Sequence, residues 1–229
     1  MSKKCSIMGI ALYLDCLECD DKICNSKHKY NKLVIGIDES YTSTGISIAI
    51  DGKLHKVTSI DFKGCKNNIE KRKLIVNILH RILKLNANKA KEIVILVERI
   101  RTYTGGNSLR PNYLKSTGAL IAVIADTAYD YNVPVYSVDT NSWKTQVVGT
   151  NKILKEYEKE IKPEKMGAIK LVEKLGFDMK QYDKQGNIKK SVRGKHKGKI
   201  KYNDDAADSA CIALYGFIPE HKQKLELEH

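Results

Sequence analysis

Two short apolar runs stand out along the chain, and each of them ends on a carboxylate. Residues 33–37 read Leu-Val-Ile-Gly-Ile before Asp38, and residues 93–97 read Ile-Val-Ile-Leu-Val before Glu98. Continuous apolar runs of this length, rich in β-branched residues, predict buried strands. The two acids are therefore predicted to stand at strand ends.

A hairpin and a helix are predicted between these runs. Residues 46–50 alternate between isoleucine and smaller side chains, as in a strand, and Asp51-Gly52 is a strong tight-turn signal. Residues 55–62 are predicted to form the next strand. Residues 69–85 then carry apolar side chains at the spacing of an amphipathic helix. Because this helix is a crossover connection, the second apolar run can lie parallel to the first. Both strand-end carboxylates would then emerge at the same edge of the sheet.

The second half of the chain adds helices around one further strand. Residues 111–131 predict a helix that is apolar on more than one face, and residues 133–138 predict a third parallel strand. Residues 141–149 and 163–175 predict two more helices. The predicted fold class is α/β, with a mixed five-stranded sheet of three antiparallel strands and then parallel strands, flanked by helices.

Three carboxylates open the last helix, which is otherwise apolar and rich in alanine. Asp205 and Asp208 project from neighbouring points on its first turn, and Asp204 precedes them. In one interpretation Asp204 is an N-cap and the others are solvated first-turn acids. In the other, the acids bind a hard cation such as Mg²⁺. Asp38 and Glu98 favour the second interpretation, because converging carboxylates can hold two Mg²⁺ for an in-line displacement at phosphorus.

The charge of the chain points to a polyanionic partner. Lys and Arg total 40 against 27 acids, which gives a formal net charge of +13. Nucleic acid is the simplest such partner, although heavy lysine use can also reflect an AT-rich genome. Few of the basic residues are arginine, so we expect contacts to phosphates and recognition of DNA shape more than of sequence.

A strongly basic segment, residues 183–202, interrupts the hydrophobic pattern before the last helix. Between residues 184 and 201 it contains seven Lys and one Arg with no acid, and it is punctuated by glycine. We expect a mobile loop that orders on the DNA backbone. The predicted DNA contacts are Lys189, Lys190, Arg193, Lys195, Lys197 and Lys199.

Residues 1–30 form a cysteine-rich extension. Cys16, Cys19, Cys24 and His28 have the ligand types and short spacings of a compact zinc site. The alternative is that these are free thiols, as in many intracellular proteins. The sequence therefore predicts a structural Zn²⁺ but leaves the free-thiol interpretation open.

The remaining features concern location and domain limits. No run of 18 apolar residues occurs, and the N-terminal residues lack a sustained apolar signal region, so we expect a soluble cytoplasmic protein without membrane association. Residues 31–218 are predicted to form one nuclease-type domain, followed by a tail at residues 219–229. Residues 227–229 resemble the start of a vector-derived histidine tag and are left out of the fold prediction.

Over about residues 33–216 the chain resembles the RuvC-type Holliday junction resolvases of the RNase H-like (retroviral integrase) superfamily. Asp38, Glu98 within Val-Glu-Arg, and residues 205–210 (Asp-Ala-Ala-Asp-Ser-Ala) match the four metal-binding acids of that family. The resemblance implies an RNase H-like fold and a crossover junction endodeoxyribonuclease that uses two Mg²⁺, with Mn²⁺ able to substitute. It also implies branched DNA as substrate and a homodimer formed through the helix after Glu98.

Further positions match or depart from that family. Lys144 and Lys165 match lysines expected near the scissile phosphate, and both are predicted to be catalytic. Glu39-Ser40 replaces the usual Pro-Gly after the first acid, and Tyr103 stands in for an aromatic wedge that contacts DNA. The cysteine-rich extension and the basic segment resemble additions in divergent phage or viral members.

Two other functional classes stay open. Asp38 followed by a Ser/Thr/Gly-rich turn also resembles the first phosphate loop of actin-like ATPases and sugar kinases. That interpretation leaves the acids of the last helix unexplained and lacks a second such domain. The other class is a non-catalytic nucleic-acid-binding module, which divalent-metal-dependent nicking of DNA would exclude.

Overall fold

The computed structural model describes residues 30–40, 42–100, 111–192, 194–223 and 225–228, with the backbone alone for residues 111–113, 195, 222 and 228. Several predicted site residues lie outside this part of the chain. They are Cys16, Cys19, Cys24, His28, Tyr103 and Arg193, together with the side chain of Lys195.

A mixed six-stranded sheet, in the order β3-β2-β1-β4-β5-β6, forms the centre of the molecule. Strand β1 pairs antiparallel with β2 and parallel with β4, and β4 pairs parallel with β5. The strands are β1 (Tyr30–Asp38), β2 (Ser43–Ile50), β3 (Lys53–Asp61), β4 (Ala90–Glu98), β5 (Val135–Val138) and β6 (Leu225–Glu228).

The predicted five strands correspond to β1 to β5, and the predicted strand count is wrong by one. Strand β6 joins the edge of the sheet antiparallel to β5, with Val138 opposite Leu225. Its four residues have no long apolar run, and two of them belong to the segment that resembles a tag. The backbone of this strand pairs with the edge strand β5, and Leu225 packs against the hydrophobic layer that contains Trp143.

Five α-helices cover the described part of the sheet. They are α1 (Asn68–Asn86), α2 (Pro111–Tyr129), α3 (Thr140–Trp143), α4 (Met166–Lys174) and α5 (Asp204–Tyr215). The predicted helix at residues 141–149 is a short α-helix continued by a π-helix, Lys144–Val148. A 3₁₀ turn, Pro163–Lys165, precedes α4. Among the described helices, none has the length and apolarity that crossing a membrane requires.

Two hydrophobic layers lie on opposite faces of the sheet. Odd-numbered residues of β1, such as Ile35, pack with α1 and α2. Even-numbered residues, such as Val34, pack with α4 and α5 and with the fully buried ring of Trp143. This alternation follows from the period of two along a strand that is buried on both faces.

Glycine brings α5 unusually close to the sheet. A Cβ atom at Gly36 would overlap the backbone of Ser209 and Ala213, and one at Gly45 would overlap the backbone of Asp205. Where helix and sheet touch, the hydroxyl groups of Ser47 and Ser209 lie 2.7 Å apart in a hydrogen bond. The small residues of both elements therefore set the distance between the first turn of α5 and the end of β1.

The basic segment has more backbone pairing than a mobile loop would have. Three backbone hydrogen bonds close a ring: Lys189 N–H donates to Gln181 (2.8 Å), Lys201 N–H to Lys189 (2.9 Å) and Gln181 N–H to Lys201 (2.9 Å). Isolated β-bridges flank these bonds. We call this substructure, residues 180–202, the basic arm.

Candidate active site

Four of the predicted acids meet at one edge of the sheet. Asp38 and Glu98 stand at the ends of β1 and β4, which run parallel and in register up to the preceding residues. Asp205 and Asp208 come from the first part of α5, beside the same strand ends. The charges of the other three acids all act on Asp38, so the four carboxylates share one electrostatic environment.

Glu98 is held in place by side chains of α3. The hydroxyl of Thr140 donates a hydrogen bond to Glu98 Oε1 at 2.6 Å, and the indole N–H of Trp143 donates to Oε2 at 3.1 Å. Both oxygens are thus oriented by donors that the fold itself fixes, since the Trp143 ring is fully buried. Such partners restrict the rotamers of a carboxylate that binds a ligand.

Lys165 lies among the acids. Its ammonium group forms an ion pair with Asp208 and lies 4.0 Å from Asp38 Oδ2. Burial disfavours the ammonium form, but the charges of Asp208 and Asp38 overcome this and raise the pKa of Lys165 above its usual value. Lys165 is therefore a permanently charged group at neutral pH.

The other two acids of α5 also have partners. Asp205 accepts a hydrogen bond from the hydroxyl of Ser43 at the start of β2. Asp204 forms an ion pair with Lys162. Asp204 is not the N-cap, because α5 begins at this residue and Asn203 occupies the N-cap position. The side chain of Asn203 makes no capping hydrogen bond.

Burial raises the pKa values of the three aspartates of the cluster. Burial raises the pKa of Asp38 well above its usual value, and the charge of Asp208 raises it further. Burial raises the pKa of Asp208 to about 6, although the ammonium of Lys165 opposes this shift. Burial also raises the pKa of Asp205. Carboxylates that resist ionisation together favour a cation between them.

Lys144 lies beside this group without contacting the acids directly. Its ammonium group donates to the backbone carbonyl of Glu164 at 3.2 Å and lies 5.4 Å from the centre of the Trp143 ring. Its charge nevertheless acts on Asp208. The structure thus brings Lys165 into the cluster and leaves Lys144 at its margin.

The cluster fits a hard divalent cation by its donor set. Its ligands are carboxylate oxygens, and Asp208 Oδ1 is buried with no hydrogen-bond partner among the described residues. Across the ranges given above, however, no three His, Cys, Asp or Glu side chains form a ready-made cation site. Within the cluster, the ammonium group of Lys165 pairs with Asp208.

Glu39, a buried carboxylate next to Asp38, escaped the sequence analysis as a site residue. Glu39 is 5% exposed, and its Oε2 atom has no hydrogen-bond partner in the described structure. Burial raises the pKa of Glu39 well above its usual value, and the charge of Asp38 adds to the shift. Ser43, Lys162 and Thr140 were missed as well, because no local pattern signals their long-range contacts.

The predicted DNA-binding lysines that the structure describes all belong to the basic arm. Lys189, Lys190 and Lys197 are exposed, and Lys199 is half-buried. Of these, Lys189 also lines a groove that extends to Asp204 and Asp205. The arm therefore presents positive charge next to the acid cluster.

Comparison with solved structures shows that the chain has the RNase H-like fold seen in RuvC. RuvC from Thermus thermophilus aligns with a TM-score of 0.51 and 18% identity, over 85% of this chain and 99% of that one. The structure of T. thermophilus RuvC in complex with a Holliday junction substrate aligns with a TM-score of 0.52 and 16% identity, over 81% of this chain and 93% of that one. The yeast mitochondrial Holliday junction resolvase Ydc2 aligns with a TM-score of 0.46 and 17% identity, over 84% of this chain and 80% of that one.

At the level of sequence, no protein-family model matches the chain, and no curated protein matches it either. The similarity to RuvC therefore lies in the fold. What the acid cluster does follows from its chemistry.

Proposed function

We propose that the protein is a metal-dependent, structure-selective endodeoxyribonuclease that resolves four-way (Holliday) DNA junctions by paired symmetric nicks, in DNA recombination and repair. The observation that carries this proposal is the meeting of Asp38, Glu98, Asp205 and Asp208 at one sheet edge of a RuvC-type fold. A net charge of +13 supports DNA as the partner.

The chemistry follows from the donor set of the cluster. Two Mg²⁺, or Mn²⁺ in their place, would activate the attacking water and stabilise the leaving 3′ oxygen. The four carboxylates would hold these ions, and the hydrogen bonds from Thr140 and Trp143 would keep Glu98 in position. Because water is the nucleophile, no covalent intermediate with the protein forms and the products carry 5′-phosphate and 3′-hydroxyl ends.

The two catalytic lysines would act on the phosphate as positive charges. Lys165 is near enough to the acids to reach a phosphate bound over them. Lys144 is placed farther out, beside the Trp143 ring. Fixed positive charges in a partly dehydrated site stabilise the negative charge that develops in phosphoryl transfer.

We also propose a symmetric homodimer, because two nicks of like polarity across a junction need two active sites. Helix α2 is the proposed interface. It packs on α1 through a buried face that includes Leu120 and Ile124. On its outer side Tyr129 is 81% exposed, and exposed aromatic residues are typical of interfaces.

A panel of substrates tests the activity. The protein is incubated in Mg²⁺ with a labelled four-way junction, a flap and a linear duplex, and nicks are mapped on each strand. We expect paired nicks at symmetric positions in the junction, with flap and duplex cut much more slowly. If linear duplex is nicked as fast as the junction, the protein is a general metal-dependent nuclease. If no substrate is nicked, the protein is a DNA-binding module without nuclease activity.

Sedimentation with and without junction DNA tests the dimer, and a monomer in both conditions would contradict it. We further propose a cytoplasmic site of action, which cell fractionation tests.

A further inference from the structure

A groove of about 770 Å³ runs from the acid cluster along the basic arm. One end is lined by Asp204 and Asp205, the first residues of α5. The arm lines the groove with Lys180, Tyr182 and Lys189. The end of β3 and the turn that follows it, including Lys63, line it as well.

The groove is suited to a chain of phosphates. Lysines from both the arm and the turn after β3 line it, and the side chain of Lys63 is 87% exposed even though it pairs with Asp61. Of the three acids in its lining, Asp205 belongs to the acid cluster, while Asp204 and Asp61 already form ion pairs with lysines. Phosphate contacts from lysine are sequence-independent and position the strand.

An aromatic ring in the same groove offers a surface for a base. The Tyr182 side chain is 42% exposed, and its hydroxyl donates to the carboxylate of Asp178, which fixes the ring. A positively charged groove combined with an exposed aromatic ring is the arrangement by which proteins bind single strands without sequence preference.

We propose that this groove binds a single-stranded DNA segment adjoining the scissile phosphate, and the proposal rests on the nuclease function above. Lysines from the arm and from the turn after β3 line the same groove and can contact one backbone. In a duplex the bases are paired and stacked within the helix, so none of them is free to stack on Tyr182. The groove therefore selects DNA whose strands separate near the branch point, with a base stacked on Tyr182.

The test measures binding in an Asp38→Asn background, so that no DNA is cut. The probes are a labelled 12-nucleotide thymidine oligomer and a 12-base-pair duplex, followed by fluorescence anisotropy at several salt concentrations. The double variant Lys180→Glu/Lys189→Glu is compared with Lys73→Glu/Lys84→Glu, which makes the same charge change at exposed positions of α1.

We expect the groove variant to weaken oligomer binding at least about tenfold and to lower the salt slope by about 1.4, which corresponds to two lost phosphate contacts. The α1 variant should change affinity less than about twofold. Tyr182→Ala should weaken oligomer binding about tenfold with little effect on duplex, and Tyr182→Phe should retain binding. Equal losses in the groove and α1 variants, or equal effects of Tyr182→Ala on both probes, would overturn the proposal.

Nicking of a four-way junction by the protein without the Asp38 substitution separates the two proposals. If the junction is not cut but oligomer binding depends on the groove, the nuclease function fails and the groove stands. If the junction is cut and the groove variants bind the oligomer normally, the groove proposal fails and the nuclease function stands.

Discussion

Lys165 forms an ion pair with Asp208, whose side chain is fully buried in the core of the acid cluster. The same ammonium group lies 4.0 Å from Asp38 Oδ2. Lys165 therefore neutralises the acids in the region where a divalent cation would bind. A cation that binds Asp208 has to compete with it.

The first prediction concerns this competition. Lys165→Met should tighten Mg²⁺ binding about tenfold, since one positive charge no longer repels the ion, and should slow nicking at least about tenfold. Calorimetric titration with Mg²⁺ and single-turnover nicking measure the two effects. Lys174→Met, at an exposed position of α4, is the control and should change neither. Weaker Mg²⁺ binding in Lys165→Met would show that the lysine supports the site instead.

The second prediction concerns pH and stability of the metal-free protein. The pKa of Asp208 is about 6 in the folded protein, against a usual value of 3.8, so the folded state binds more protons between these pH values. Stability should consequently fall as pH rises from about 4 to about 6.5, by up to about 3 kcal/mol for this carboxyl.

Asp208→Asn removes this titrating group and tests that prediction. In urea unfolding without metal, the variant should be more stable than the unsubstituted protein at pH 7.5 and similar to it at pH 4.5. Asp130→Asn, at an exposed position, should follow the unsubstituted protein at both pH values. A parallel pH dependence in all three proteins would contradict the raised pKa of Asp208.

The third prediction concerns the contact between α5 and the sheet. Gly45→Ala should destabilise the protein by about 1–3 kcal/mol or more, because the new Cβ would overlap the backbone of Asp205. Nicking should fall as well, since Asp205 is displaced. Gly64→Ala is the matched control, since its Cβ would meet no atom within 4 Å. Thermal unfolding compares the two, and similar melting temperatures would show that the helix yields easily.

The fourth prediction concerns the cysteine-rich extension. Purified protein should contain about one zinc per chain, bound by Cys16, Cys19, Cys24 and His28 in a closed tetrahedral site. Elemental analysis of Cys16→Ser should find the zinc lost, while Cys65→Ser should retain it. Protein without zinc would favour the free-thiol interpretation.

The sequence was most informative where hydrophobic burial decides the structure. The runs before Asp38 and Glu98 predicted the two central strands, because a strand covered on both faces must be apolar throughout. The sequence was least informative where backbone hydrogen bonds determine the structure. The ring of bonds in the basic arm involves lysine-rich residues without a hydrophobic pattern. Strand β6 alternates Leu and Glu over only four residues, which is too short to stand out as a strand.

The same division applies to the site. The four predicted acids were visible because each stands at the end of an apolar element. Ser43 and Lys162 were not, because their partners Asp205 and Asp204 lie 162 and 42 positions away in the chain. Trp143 is the only tryptophan of the sequence, yet its hydrogen bond to Glu98 depends on tertiary packing that no spacing reveals.

The most direct test of the nuclease proposal is the single-turnover rate at which Asp38→Asn nicks a four-way junction in Mg²⁺, measured beside Asp130→Asn. The proposal predicts a rate at least about a thousandfold lower for Asp38→Asn, with junction affinity within about threefold of the unsubstituted protein, because the acid serves the metal ions while other residues bind the DNA. Asp130→Asn should cut normally. Full nicking activity in Asp38→Asn would contradict the assignment of this cluster as the active site.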